Sequence, residues 1–187
     1  SIGGVGLIKN YQNMISMDIK NTGNIILVIG KTIGHLEQSI FARNILSEKK
    51  GPPPEVNLFN EKNNGLTTLK LIKENLIESC HDVSLGGIIV AISKMCLKGK
   101  KGIKINQLKG LINKFEYFFG EDQARYLVEI QKENLPKVDK ILKENSVHYD
   151  ELGTVIDENI EFSDEIKLSI DDLEKTYKNW LRKYMIN

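Results

Sequence analysis

Residues 24–30 constrain the fold more than any other stretch of the chain. Ile25-Ile26-Leu27-Val28-Ile29 is an unbroken apolar run closed by Gly30. A strand with one wet face would alternate apolar and polar residues. An unbroken run of this length, rich in β-branched side chains, marks a strand covered on both faces. The chain must then supply helices for two sides of a sheet.

The remaining pattern provides them. Residues 36–46 read as a helix, with Leu36, Ile40, Phe41 and Ile45 on one side. Gly51 and three prolines after it cannot continue a helix. Leu66, Leu69, Ile72 and Leu76 recur at helical spacing and predict a second helix over 61–75. A short strand over 76–80 and a turn over 81–84 follow, with Asp82 and Ser84 as helix-capping residues. Residues 85–97 form a helix apolar on most of its surface, which implies packing on the sheet and cover on its other side. Residues 102–105 alternate as a strand does, 107–116 suit a short helix, and 126–130 are a strand. A helix over 135–144 has Asn134 as its cap and Pro136 in its first turn. Residues 153–156 and a hairpin over 160–170 supply late strands. A last amphipathic helix over 171–185 carries Leu173, Tyr177, Trp180, Leu181 and Tyr184, with Asp171 and Asp172 suited to its positive end. Strands and helices of this kind and order make an α+β fold, a mixed sheet packed with helices.

Bulk properties narrow the function. A chain of 187 residues fits a single domain, 1–187. Its net charge of +1 provides no global field for nucleic acid or an acidic membrane. The basic stretch between Lys98 and Lys104 is laced with glycine and reads as a solvated turn. Cys80 and Cys96 have neither the number nor the spacing of a zinc site or a disulfide framework, and their apolar surroundings suit buried free thiols in a reducing cytoplasm. No apolar run reaches the roughly 18 residues a membrane span needs, and the start does not read as a signal peptide. Without an initial methionine, the chain reads as a piece of a longer one.

Several segments invite chemistry. Gly30-Lys31-Thr32 follows a buried strand, but Ile25 stands where a phosphate-binding P-loop needs its first glycine, so that reading is rejected. His81-Asp82-Val83-Ser84-Leu85-Gly86-Gly87 has two readings. His81 and Asp82 could move protons or hold a ligand, and the helix start could bind an anion. Alternatively Asp82 and Ser84 cap that helix, while Gly86 and Gly87 let it approach the sheet. Gly120-Glu121-Asp122-Gln123-Ala124-Arg125 also has two. Its acids and arginine could handle phosphate or magnesium, or form a polar turn with Arg125 paired to a neighbouring acid. His35 with Glu37, and His148 with Asp150 and Glu151, read as surface residues. Gly51-Pro52-Pro53-Pro54 is a stiff connector.

Taken in order, Gly3-Gly4-Val5-Gly6-Leu7, Gly30-Lys31-Thr32, Gly51-Pro52-Pro53-Pro54, His81 to Gly87, Phe119 to Val128, Leu152-Gly153-Thr154-Val155 and the helix around Trp180 resemble the last domain of the phosphoribosylformylglycinamidine synthase II family. The resemblance spans nearly the whole chain, starting at Ile2. Leu85, Glu37 and Asn57 depart from it, standing where the family commonly has a polar residue, a glycine and an aspartate. It implies the fold of the aminoimidazole ribonucleotide synthetase C-terminal domain, as the second such A-type domain of a longer enzyme. That enzyme would use ATP and magnesium to convert formylglycinamide ribonucleotide to its amidine, with ammonia from a glutaminase subunit and a small bridging subunit. The better-defined ligands lie in N-type domains outside this chain. The resemblance therefore implies no catalytic or metal-binding residue here, no tightly bound cofactor and no activity of these residues alone. His81, Asp82, Ser84, Gly86, Gly87, Glu121, Asp122 and Arg125 are the candidates for facing phosphate or nucleotide. Related ATP-using synthetases, or a noncatalytic scaffold that docks subunits, are the alternatives.

Overall fold

A computed structural model describes residues 3–8, 10–107, 112–162 and 166–186. Among these, seven strands form one mixed sheet: β1 Ile25–Ile29, β2 Ser79–Asp82, β3 Gly102–Ile105, β4 Tyr126–Ile130, β5 Tyr149–Ile156, β6 Ile160–Phe162 and β7 Ile166–Leu168, in the order β2-β4-β1-β5-β3-β6-β7. Neighbours are antiparallel except β3 and β6, which run parallel. The helices are α1 Ile40–Asn44, α2 Leu58–Lys73, α3 Gly87–Gly99, α4 Lys114–Phe119, α5 Leu135–Glu144 and α6 Ile170–Ile186.

The apolar run explains the layers. Every residue of β1 is buried. Ile26 and Val28 face Ile88, Ile92, Met95 and Cys96 of α3 in one core, with Tyr117 and Phe118 of α4 beside them. Ile25, Leu27 and Ile29 face Leu71 of α2 and Val138, Ile141 and Leu142 of α5 in the other. Burying each such side chain is worth about 1.5–3 kcal/mol, so β1 anchors both layers. The expectation of cover on both faces holds.

Several boundaries differ from the sequence reading, for local reasons. The first helix begins only at Ile40, because Gln38 is left-handed (φ 61°) and the Ser39 hydroxyl accepts the Ala42 amide at 3.0 Å. The short helix expected over 107–116 is instead α4, set by a capping box between Asn113 and Glu116; residues 108–111 lie outside the described ones. The strand expected over 76–80 lies at Ser79–Asp82, and Asp82 belongs to it rather than to a helix cap. The turn of the late hairpin, 163–165, is outside the described residues.

One buried acid fastens the sheet. Glu129 on β4 is 0% exposed. Its carboxylate accepts the amides of Lys20 (2.8 Å) and Asn21 (3.0 Å), the Asn24 side-chain amide (2.8 Å) and the Ser79 hydroxyl (2.9 Å). The segment entering β1 is thereby tied to β4 and β2.

β1 and β2 both run antiparallel to β4, so both end where β4 begins. The loops after β1 and β2 and the loop before β4 therefore meet at one end of the sheet.

Candidate functional site

The convergence is held by two neighbouring carboxylates. Asp122, 4% exposed, accepts the amides of Ile33 (3.0 Å) and Gly34 (2.9 Å) on one oxygen and of His35 (3.0 Å) on the other. This is a backbone nest filled by the protein's own anion. Glu121 accepts the amides of Ile40 and Gly86, each at 2.8 Å, so one oxygen meets the start of α1 and the residue before α3. Negative charge suits both helix starts.

Arg125 completes the frame. It is 2% exposed and donates to the carbonyls of Gly120 (2.6 Å) and Asp122 (3.2 Å) and to the Thr32 hydroxyl (3.2 Å). Its guanidinium lies 3.5 Å from the Asp122 carboxylate. Burial pulls its pKa below the ordinary value, and Asp122 opposes that pull. The arginine joins the loop after β1 to the turn before β4. Of the two readings of this segment, the geometry matches the paired polar turn.

Gly30 lets those loops touch. Its φ is +96°, and a Cβ there would fall on the Ala124 carbonyl. Gly87, at φ +70°, does the same for α3: a Cβ would lie 2.6 Å from the Phe118 carbonyl and 2.7 Å from that of Gly120. Gly87 thus admits the end of α4 against α3, whereas a Cβ at Gly86 would meet Val90 of α3 itself. Gly86 is the N-cap of α3, left-handed and without a side-chain cap. Capping by Asp82 and Ser84 is therefore corrected: the acceptor comes from Glu121, far along the chain, because β2 continues through Asp82.

His81 and Asp82 do meet, although adjacent strand residues point to opposite faces. His81 Nδ1 lies 3.0 Å from an Asp82 carboxylate oxygen, and its Nε2 is buried with no hydrogen-bond partner among the described residues. Burial raises the Asp82 pKa, but His81 and Ser84 beside it outweigh that and hold it below the ordinary value. Asp82 and Ser84 are exposed. Ser84 offers its carbonyl to the Gly87 amide at 3.0 Å.

A cleft of about 420 Å³ opens beside this frame. Lys31, His35, Asn57, Asn60, Asn64 and Gln123 are among its walls. The three asparagines follow one face of α2, and their spacing of three and four was the available signal for a polar wall. Asn57 caps α2 by accepting the Asn60 amide at 3.0 Å. Asn64 donates to the Ala124 carbonyl at 2.9 Å.

The frame is a poor magnesium site. Lone pairs of Glu121 and Asp122 are engaged by backbone amides, and among the described residues no three His, Cys, Asp or Glu side chains come together as metal ligands. Nor is the entrance to α3 open to a phosphate in the simplest way, because the Gly86 amide meets Glu121 and the Gly87 amide meets Ser84. Among the described residues, no helix is long and apolar enough to cross a membrane.

Residues 21–164 match the family model described as AIR synthase related protein, C-terminal domain. The chain belongs to that family. Its sheet and the loops at the sheet end fall within the matched span up to β6. Among curated members of the wider group, it is 64% identical over 187 residues to the phosphoribosylformylglycinamidine synthase subunit PurL of Pelagibacter ubique, covering 100% of this chain and 26% of that protein. It is 35% identical over 187 residues to the same subunit of Bartonella bacilliformis, covering 100% of this chain and 25% of that one. This AIR synthase related domain thus spans about a quarter of the length of the relatives it matches. Its fold is also that of a solved Thermotoga maritima PurL, with a TM-score of 0.70 at 19% identity over 87% of this chain and 29% of that one.

Proposed function

We propose that this chain serves as one A-type domain, residues 1–187, of a phosphoribosylformylglycinamidine synthase. The supporting observation is the 64% identity to a PurL subunit along the entire chain. The Thermotoga maritima protein with this fold has been solved with FGAR, with ATP and as a PurLQS assembly. By that analogy the whole enzyme joins ammonia to formylglycinamide ribonucleotide in the cytoplasm, with a glutaminase subunit and a small bridging subunit as partners. ATP with magnesium supplies activation of the amide oxygen for displacement by ammonia, yielding the amidine, ADP and phosphate.

Within that enzyme the residues divide into two groups. Glu121, Asp122 and Arg125 position the loops: their polar atoms already serve backbone amides, carbonyls and Thr32. His81, Asp82 and Ser84 lie at the same sheet end, and Asp82 and Ser84 remain exposed for a ligand or a neighbouring domain. Gly86 and Gly87 shape that edge. A scaffold role is the second reading, favoured by the internal engagement of both carboxylates and the arginine.

The test uses the full-length enzyme. ATP-dependent amidation of formylglycinamide ribonucleotide is expected, and its absence in correctly folded protein overturns the proposal. His81→Ala and Asp82→Asn are expected to lower kcat with subunit assembly unchanged; unchanged turnover favours the scaffold. Residues 1–187 alone are expected to be inactive.

A further inference from the structure

Among the described residues, nothing covers the C-terminal half of α6. Leu173 packs against the core and Glu174 pairs with Lys100 and Lys178, but from Lys175 to Ile186 every described side chain is exposed. Tyr177 is 64% exposed, Trp180 57%, Leu181 52% and Tyr184 72%. Tyr177, Trp180, Leu181 and Tyr184 fall at positions i, i+3, i+4 and i+7, which sets them in one stripe along the helix. A helix of about three turns is marginal alone in water. Two tyrosines, a tryptophan and a leucine in one stripe form an apolar patch of the kind that marks an interface.

We propose that this stripe docks onto the part of the same polypeptide that lies outside residues 1–187. The inference rests on the reading of the chain as a portion of a longer synthetase. Two observations select this occupant. The Pelagibacter relative matches this chain throughout, α6 included, and is about four times as long, so a tethered partner surface accompanies the helix there. The stripe is also small for an untethered partner. Large aromatic side chains bury roughly 150–250 Å² each, and Tyr177, Trp180 and Tyr184 are only 57–72% exposed, so the three offer about 300–500 Å², short of the standard interface of about 800 Å² per partner. A tethered surface reaches an effective concentration near the millimolar range and needs less area.

The experiment places p-benzoylphenylalanine at Trp180 or Tyr184 of the full-length polypeptide, in a mixture of light and isotope-labelled copies. Irradiation and peptide mass spectrometry then identify what the helix touches. Cross-links within one molecule to residues outside 1–187 are expected. The double variant Tyr177→Glu, Leu181→Glu should lose those cross-links and raise amide exchange over 175–186 at least tenfold. Cross-links between light and labelled copies, to a separate subunit, or back onto residues 1–187 overturn the proposal, as does absence of cross-linking. Amidation assayed on the same samples separates the outcomes: activity without the expected cross-link refutes the docking while leaving the synthetase reading intact.

Discussion

Glu121 accepts the backbone amide of Gly86 at 2.8 Å, so a carboxylate from the turn before β4 stands at the entrance to α3. The same oxygen meets the Ile40 amide. The helix start that sequence reasoning offered to an external anion already has one of its own, and its charge locks three loops together.

Glu121→Ala should therefore cost more than an ordinary surface substitution. Two amides lose their acceptor; the part-buried one of Gly86 costs about 1–3 kcal/mol when left unmet, while the exposed one of Ile40 can turn to water. Glu121→Gln keeps an acceptor oxygen and should lose under about 1 kcal/mol, the charge contribution at the helix starts. Urea unfolding of the two variants checks the order.

Arg125→Met should destabilise by about 3–5 kcal/mol, because it leaves buried Asp122 without its cation and two carbonyls without a donor. Arg125→Lys should not rescue it, since an ammonium cannot span Gly120, Asp122 and Thr32 as the planar guanidinium does. Denaturant midpoints distinguish this from a solvated pair, for which Lys would substitute.

Glu129→Ala should loosen the entry to β1. Four donors lose their shared acceptor, and a loss above about 3 kcal/mol is expected from that many unmet groups. Amide exchange at Lys20 and Asn21 should rise well before exchange within α5, which makes no hydrogen bond to this carboxylate.

Stability should fall in alkali. Burial raises the Cys96 thiol from 9.0 to about 12. Above pH 9 the unfolded chain releases this proton while the folded chain keeps it, so stability drops between about pH 9 and 12 and this group has no effect below that window. Cys80 is raised to about 12 in the same way, and burial also raises Tyr117. Cys96→Ala should flatten the alkaline decline in urea midpoint without abolishing it, because Cys80, Tyr117, Tyr126 and Tyr149, all raised, remain. A decline as steep as that of the unmodified protein would count against this origin.

Elements dominated by nearby residues were legible in the sequence. β1, β3, β4 and α5 lie where periodicity puts them, since an apolar run or helical repeat reports its own burial; Asn134 stands at the N-cap position of α5 but makes no side-chain capping bond. The mixed sheet with helices followed from their order. The boundaries that moved depend on contacts the string does not display: α1 waits for Ser39 to cap it, and β2 extends to Asp82 because Tyr126 pairs with it across the sheet. The candidate site was legible as a set of residues, but not as a division of labour among them. His81 and Asp82 proved to touch, whereas Glu121, Asp122 and Arg125 proved to be engaged by backbone and loop partners.

The sequence by itself determined the two-sided burial of β1, the helices needed to cover it and the family signature carried by the loops. Those depend on composition and period within short windows, where hydrophobic burial acts on each residue separately. Tertiary structure alone decided which charges are free. Glu121 meets amides 35 and 81 positions away, and Asp122 meets others nearly 90 away. A carboxylate's role is set by the donors that reach it, and only the folded sheet brings these within hydrogen-bonding distance.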